Sequence, residues 1–300
     1  MQNGNGVLII NKHKGCTSHD IVNMVRRIYN TKQVGHAGTL DPDAEGVLVV
    51  LVGNAAKACE YLSGGTKKYR ALMRLGVTSD TEDASGILTF VDTALPDKDK
   101  VFSVVDSFLG KSMQTPPMYS ALKVGGQKLC DLARDGKVIE RAEREIEIFA
   151  ISAKETDVPK NYILDIHCSG GTYIRTICAD IGQKLGCGGI MSELCRVEAC
   201  GFDISQAVKI DTLKNMSADE LPTLLIPTES LFADLSVLTL EGFYEKLCKN
   251  GCEIYQKKIG TNYKINQRLR LHDSQNRFFA LGEVRDYPDG SAVKAIKFFE

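Results

Sequence analysis

Gly35-His36-Ala37-Gly38-Thr39-Leu40-Asp41-Pro42-Asp43-Ala44-Glu45-Gly46-Val47-Leu48-Val49-Val50-Leu51-Val52 joins a polar, glycine-punctuated loop to an unbroken apolar run. Residues 33–45 read as the loop. Gly46–Val52 has only Val and Leu after its glycine, which suits a strand buried on both faces. Glycines at 35, 38 and 46 permit tight turns and close backbone approach. Pro42 disfavours helix at Asp41. A carboxylate on a stiff loop ahead of a buried strand is placed to act as a nucleophile or base. An Asp–Pro turn whose carboxylate caps its own backbone fits the same residues, and on them alone is the favoured reading. His36 by itself reads as a surface loop histidine.

On the N-terminal side, Gly6–Asn11 reads as a short buried strand. Thr17 or Ser18 caps a helix to about Tyr29, with Ile21, Val22, Val25, Ile28 and Tyr29 at helical spacing. On the C-terminal side, Asn54–Leu62 reads as a helix. Lys68–Val77 alternates, with Tyr69, Ala71, Met73 and Leu75 on one face. Its approach, Gly64-Gly65-Thr66-Lys67-Lys68-Tyr69-Arg70, lacks Walker spacing. Its Lys67, Lys68, Tyr69 and Arg70 suit polyanion contact and base stacking, or equally a solvated strand face.

Further along, 79–100 is polar and turn-rich, and Val101–Leu109 reads as a helix. Gln114–Ala142, with Pro-Pro and Gly-Gly steps, reads as a protruding insertion. Glu145–Ile151 and Tyr162–Cys168 read as strands. In His167-Cys168-Ser169-Gly170-Gly171-Thr172-Tyr173-Ile174-Arg175-Thr176 a strand turns into a helix, capped by Thr172 and ending at Gly186. Arg175 falls in its first turn, where the helix dipole disfavours a cation. That conflict points to a partner anion, although a plain surface arginine fits too. Strands and helices in this order give an α+β or mixed α/β core.

Beyond a boundary near 225–237, Leu238–Asn250 reads as a helix closed by Gly251. Arg268–Leu271 and Phe278–Val284 flank a polar turn, a hairpin pattern in a small β-rich tail. Between Lys246 and Arg270 seven Lys or Arg face one acid, Glu253. The insertion adds Lys123, Lys128, Arg134, Lys137, Arg141 and Arg144. Two basic patches on a chain of net charge −1 suit a long polyanion touched at separate places, or a merely solvated surface.

The 300 residues, 43% hydrophobic and 25% charged, support one large domain or a large one with a small attachment. No signal-peptide pattern and no membrane-length apolar run is present, so a cytoplasmic protein without membrane contact is expected. Ten scattered cysteines read as free thiols. No zinc spacing, complete Walker motif or complete Rossmann motif occurs, so no metal and no cofactor are expected.

Together these segments resemble the TruB family of tRNA pseudouridine synthases, from Gly6 to about Phe202. Gly35–Pro42 with Glu45–Leu48 is similar to the family's catalytic loop, and Lys68-Tyr69-Arg70 to its tyrosine motif. Asp80–Gly86 follows as in the family. Pro116–Lys123 resembles the start of its RNA-gripping insertion, and Gly171–Thr176 its arginine motif. Departures are His13 after Lys12, where proline is common, and Val197 and Cys200, where Thr and Gly are often found.

The resemblance implies an α+β fold: a pseudouridine-synthase catalytic domain on a mixed, largely antiparallel sheet flanked by helices. It implies a domain over 1–230 with an insertion at about 110–145, and a small β-rich, PUA-like RNA-binding domain over 235–300. It implies isomerisation of the T-arm uridine conventionally numbered 55 after base flipping. Asp41 would be the nucleophile, Tyr69 would stack on the base and help move a proton, and Arg175 would pair with Asp41 and keep it ionised. His36, Asp83, Leu194, Lys12, Lys67 and Lys68 would contact or position the substrate. The implied partner is tRNA, with a monomer needing no obligate protein partner. An RNA-folding chaperone without turnover and a small-substrate hydrolase are the competing readings.

Overall fold

A computed structural model describes residues 4–62, 64–94, 96–120 and 122–300. Ala121 in the Pro116–Lys123 stretch, Leu95 in the 79–100 segment, the first three residues and the side chain of Lys128 lie outside the described residues.

The apolar run forms β3 (Glu45–Val52), and Val47 to Val52 are all 0% exposed. At roughly 1.5–3 kcal/mol for each Val or Leu taken from water, this strand anchors the core. It sits between β1 (Gly6–Lys12), antiparallel to it, and β12 (Gly189–Ala199), parallel to it. The full order is β1-β3-β12-β4-β11-β10-β7, with β4 at Lys67–Leu75, β7 at Gly110–Gln114, β10 at Arg144–Glu155 and β11 at Asn161–Cys168. Short β2 (Val34–Ala37) pairs with β3, and β13 (Phe202–Asp203) with β12. The sheet is mixed and largely antiparallel, as expected. β4 lies at its middle, and the inward set Tyr69, Ala71, Met73 and Leu75 is buried as the alternation requires.

Helices α1 (Ser18–Ile28), α2 (Lys98–Asp106) and α4 (Ile174–Leu185) contribute to the apolar cluster over one face of the sheet. Thr17 caps α1, with a reciprocal bond from Asp20. Ser18 is fully buried and does other work, described below. The chain after β13 runs through α5 (Ile210–Lys214) and back along β1, bridging at Val208 and Ile226.

Several readings are corrected. The expected loop 33–45 contains β2. Asn54–Leu62 is a 3₁₀ helix, Gly53–Tyr61, and 79–100 contributes to the hairpin β5–β6 (Val77–Ser79, Leu88–Phe90). The insertion is narrower than 110–145, because β7 belongs to the main sheet and pairs with β10. It holds β8–β9 (Lys123–Val124, Gln127–Lys128) and α3 (Leu129–Arg134). It also contributes to the core, since Leu129 and Leu132 are buried.

The tail builds a second sheet in the order β14-β16-β17-β18-β15: Ser236–Thr239, Arg268–His272, Phe278–Tyr287, Gly290–Phe298 and Ile254–Tyr255. Leu238–Asn250 is not one helix. Ser236–Thr239 makes β14, with Leu238 turned inward, and α6 starts only at Gly242 and runs to Lys249. Short α7 (Gln256–Ile259) precedes the hairpin β16–β17. Phe232, Leu281 and Phe299 join the apolar cluster against β1 and β3, and Lys297 pairs with Glu60 at 2.5 Å. No helix among the described residues is long and apolar enough to cross a membrane.

Candidate active site

The loop between β2 and β3 is held from four sides. The Lys12 side chain is fully buried, and its ammonium donates to the carbonyls of Pro42 (2.9 Å), Ala44 (2.6 Å) and His13 (3.0 Å). Ser18 Oγ donates to Leu40 O at 3.0 Å and accepts from Leu40 N at 2.8 Å. The Gly15 amide donates to Pro42 O. Arg196, 0% exposed on β12, donates to Gly38 O (3.0 Å), Thr39 O (3.3 Å) and, through Nε, Val47 O (2.8 Å). Gly46, at φ +101°, lets β3 approach the Arg196 backbone so closely that a Cβ would strike it.

The loop so fixed presents Asp41 to Arg175. Arg175 Nη2 donates to Asp41 Oδ2 at 2.5 Å, and Nη1 lies 3.7 Å from Asp83 Oδ2. The Arg175 side chain is 6% exposed and that of Asp41 38%. The first-turn cation thus has the anion its position called for. Thr172 does not cap α4: the N-cap residue is Tyr173, whose backbone exchanges two hydrogen bonds with the Gln114 side chain on β7. Asp83 Oδ1 accepts from Thr81 Oγ1 and from Ser85 N and Oγ, so the second carboxylate is also fixed. Glu82, at φ +64°, accepts from Thr176 Oγ1.

Burial pushes the Asp41 carboxyl above the ordinary carboxylate range, and the Arg175 charge opposes that shift without reversing it. Arg175 thus pulls the Asp41 carboxyl down, as the resemblance implied, while burial, which the sequence did not show, outweighs it. Burial likewise raises the Tyr69 phenol, against the pull of the neighbouring Arg196 charge. Tyr69 is therefore a neutral hydroxyl over the physiological range.

Asp41 sits where two cavities meet. The outer one, about 720 Å³, is lined by His36, Asp41, Asp83, Tyr119, Arg134, Arg175 and Leu194 among others. The inner one, about 300 Å³, adds Gly38, Lys67, Tyr69, Tyr173 and Arg196. An aromatic ring, a carboxylate and a braced guanidinium at one opening can hold a flat ring beside a nucleophile. No cluster of His, Cys, Asp or Glu among the described residues could hold a metal.

The structure brings Asp41, Tyr69, Arg175, His36, Asp83 and Leu194 to these cavities. Lys67 reaches the inner one, bonded to Gly65 O at 2.8 Å, with burial lowering its ammonium pKa. Lys68 points the other way, to an exposed pair with Glu198 at 2.7 Å. Lys12 lines neither cavity and acts on the loop from behind. Sequence reasoning missed Arg196, Ser18 and Gln114. Arg196 carried one readable signal, a cation two residues after Leu194 in a strand whose apolar residues face inward.

Residues 26–174 match the family profile "TruB family pseudouridylate synthase (N terminal domain)", and 175–233 match "tRNA pseudouridylate synthase B C-terminal domain". The chain is similar to the tRNA pseudouridine synthase B of Alkaliphilus oremlandii, 43% identical over 284 residues and 94% of each chain. It is also similar to that of Clostridium acetobutylicum, 38% identical over 282 residues, 94% of this chain and 96% of the relative. Among solved structures, an H/ACA RNP bound to a substrate RNA containing 2'-deoxyuridine superposes with a TM-score of 0.72. The identity there is 21%, covering 98% of this chain and 85% of the other, a likeness of fold alone.

Proposed function

The chain belongs to the TruB family of pseudouridine synthases, and on that premise we propose that it converts uridine 55 in the T arm of tRNA to pseudouridine. The observation that carries the reading is the Asp41–Arg175 pair at the junction of two cavities, with Tyr69 lining the smaller one.

The reaction breaks the C1′–N1 bond, turns the base, and joins C1′ to C5. The base must leave its stack for both its edges to be reached. Tyr69 offers a ring face that restores roughly 1–3 kcal/mol of the lost stacking. Asp41, charged through Arg175 and aimed by it, attacks C1′ or the ring. Arg175 is aimed in turn by Asp83. His36 and Leu194 meet the displaced nucleotide at the cavity wall, and Lys12 serves the substrate only by holding the loop. Lys67 meets the base from below. Lys68 contacts the RNA backbone after leaving Glu198.

The insertion, with Tyr119 and Arg134 over the cavity, grips the T arm. The tail from 235 is a PUA-like RNA contact carrying Lys257, Lys258 and Lys264. The protein works as a monomer, with tRNA as its partner.

The test is a T-arm hairpin assayed for pseudouridine. Product confined to the position equivalent to 55 is expected, and none when that uridine is replaced by cytidine. An altered hairpin fold with no pseudouridine would support a chaperone without turnover and overturn the synthase reading.

A further inference from the structure

The main sheet and its helices bury four cations near the loop: Lys12, Lys67, Arg175 and Arg196. A buried cation is costly unless an anion or several dipoles offset it. Arg175 has two carboxylates. Lys12 spends its three protons on three carbonyls. Lys67 and Arg196 have no ion pair among the described residues. Lys67 makes one side-chain hydrogen bond, to Gly65 O, and Arg196 makes three to carbonyls and also bonds the Tyr69 phenol.

These two cations are neighbours. Lys67 and Tyr69 are two apart on β4, so they share a face. Arg196 is the register partner of Tyr69 on β12. A Cβ at Gly38 would touch both Lys67 Cε (3.4 Å) and Arg196 Nη1 (3.5 Å). Both line the inner cavity with Tyr69 and Asp41. Two positive charges beside a tyrosine, lining one cavity and without an ion-paired carboxylate among the described residues, make a site fit for an anion.

The reaction supplies one. When C1′–N1 breaks heterolytically, the electron pair stays on N1 and the base departs as a uracil monoanion, its charge spread over N1, O2 and O4. Conjugation makes C5 the carbon that then bonds C1′. C5 gives up its proton and N1 takes one, so nothing is gained or lost. We propose that Lys67 and Arg196 form an anion subsite for the detached base, holding its negative charge over Tyr69 while it turns. This rests on the synthase reading and deepens it. Tyr69, a neutral phenol, adds a hydrogen-bond donor to the same anion. Preorganised positive charge aimed where negative charge develops is an effective way to lower such a barrier.

The test compares uridine with 5-fluorouridine at the target position of a T-arm hairpin, in single turnovers that follow C1′–N1 cleavage. Fluorine stabilises the departing anion by itself, so a fluorinated base needs the subsite less. Arg196→Gln and Lys67→Met are expected to slow uridine on the order of 10²-fold and fluorouridine clearly less. The fluorouridine-to-uridine rate ratio therefore rises, by about tenfold. Arg196→Lys, which keeps the charge, restores part of the rate. Lys67→Met removes a single hydrogen bond and keeps the test decisive if Arg196→Gln fails to fold. Equal slowing of both substrates in Lys67→Met, or no slowing, overturns the subsite while leaving the synthase reading intact. A wild-type protein inert on both substrates overturns both.

Discussion

The two sheets of this molecule handle buried polarity differently. The nine-stranded sheet and its helices bury four Lys or Arg side chains, all around one loop. The five-stranded tail sheet buries none among the described residues: its buried polar side chains are Gln256, His272 and Asp273. Each of those is locally satisfied. Gln256 bonds Tyr263 and Ser291, His272 lies between Glu229 and Asn276, and Asp273 takes the Arg277 guanidinium. The tail keeps its cations at or near the surface, as folding alone would dictate. The main sheet accepts a desolvation cost that apolar residues would avoid. Buried charge in excess of what packing needs thus sets the sheet around the Asp41 loop apart from the tail sheet.

Substitutions can break that contrast, beginning with the largest effect. Asp41→Asn keeps the size of the side chain and removes the proposed nucleophile. Turnover should fall by at least about 10³-fold, with hairpin affinity little changed. Substantial residual pseudouridine would end the nucleophile assignment.

Arg175→Met should slow turnover by about 10²-fold at neutral pH and change its pH dependence. The Asp41 carboxyl already stands above its ordinary range through burial, against the opposing Arg175 charge. Without that charge it rises further. Since the reactive form is the anion, activity is lost as pH falls through the carboxyl pKa, and the acid limb must move to higher pH. A profile of kcat/KM against pH that keeps its acid limb would contradict this.

Lys12→Met leaves the Ala44 carbonyl without its Lys12 donor and Pro42 O with the Gly15 amide alone. A stability loss of about 1–3 kcal/mol in urea unfolding is expected, with a smaller fall in activity than at Asp41. Unchanged stability would mean that the loop is fixed without Lys12. The smallest effect belongs to the tail. Replacing Lys257, Lys258 and Lys264 by Gln should flatten the slope of log affinity against log salt by up to about one unit per lost phosphate contact. Turnover at saturating RNA should hold. An unmoved slope would remove these lysines from the RNA surface.

Much of the main sheet was legible. The apolar run announced β3, strict alternation announced β4, and the first-turn position of Arg175 announced a partner anion. Asp41 itself was not legible from its own loop, where an Asp–Pro turn was the better reading. Its proposed role rests on motifs far along the chain. β12 stayed hidden because Glu193, Arg196 and Glu198 interrupt its apolar residues. Bulges between Met191 and Glu193 and between Arg196 and Glu198 further blur its period. Arg196 was missed for the same reason: its spacing from Leu194 signals an inward direction only once the strand itself is recognised. Lys12 was expected at the substrate and Ser18 read as a possible cap, because their carbonyl partners in the loop lie about twenty to thirty residues away. In the tail, β14 was read as the start of α6, since Leu238 and Leu240 fit either period.

The most direct test of the central claim is the structure of this protein bound to a T-arm hairpin with 5-fluorouridine at the target position. The account predicts the base out of its stack, lying on the Tyr69 ring, with Asp41 in bonding reach of C1′ or the pyrimidine ring and Arg175 still paired to it. A base left in the helix, or one seated where Asp41 reaches neither the sugar carbon nor the ring, would contradict it.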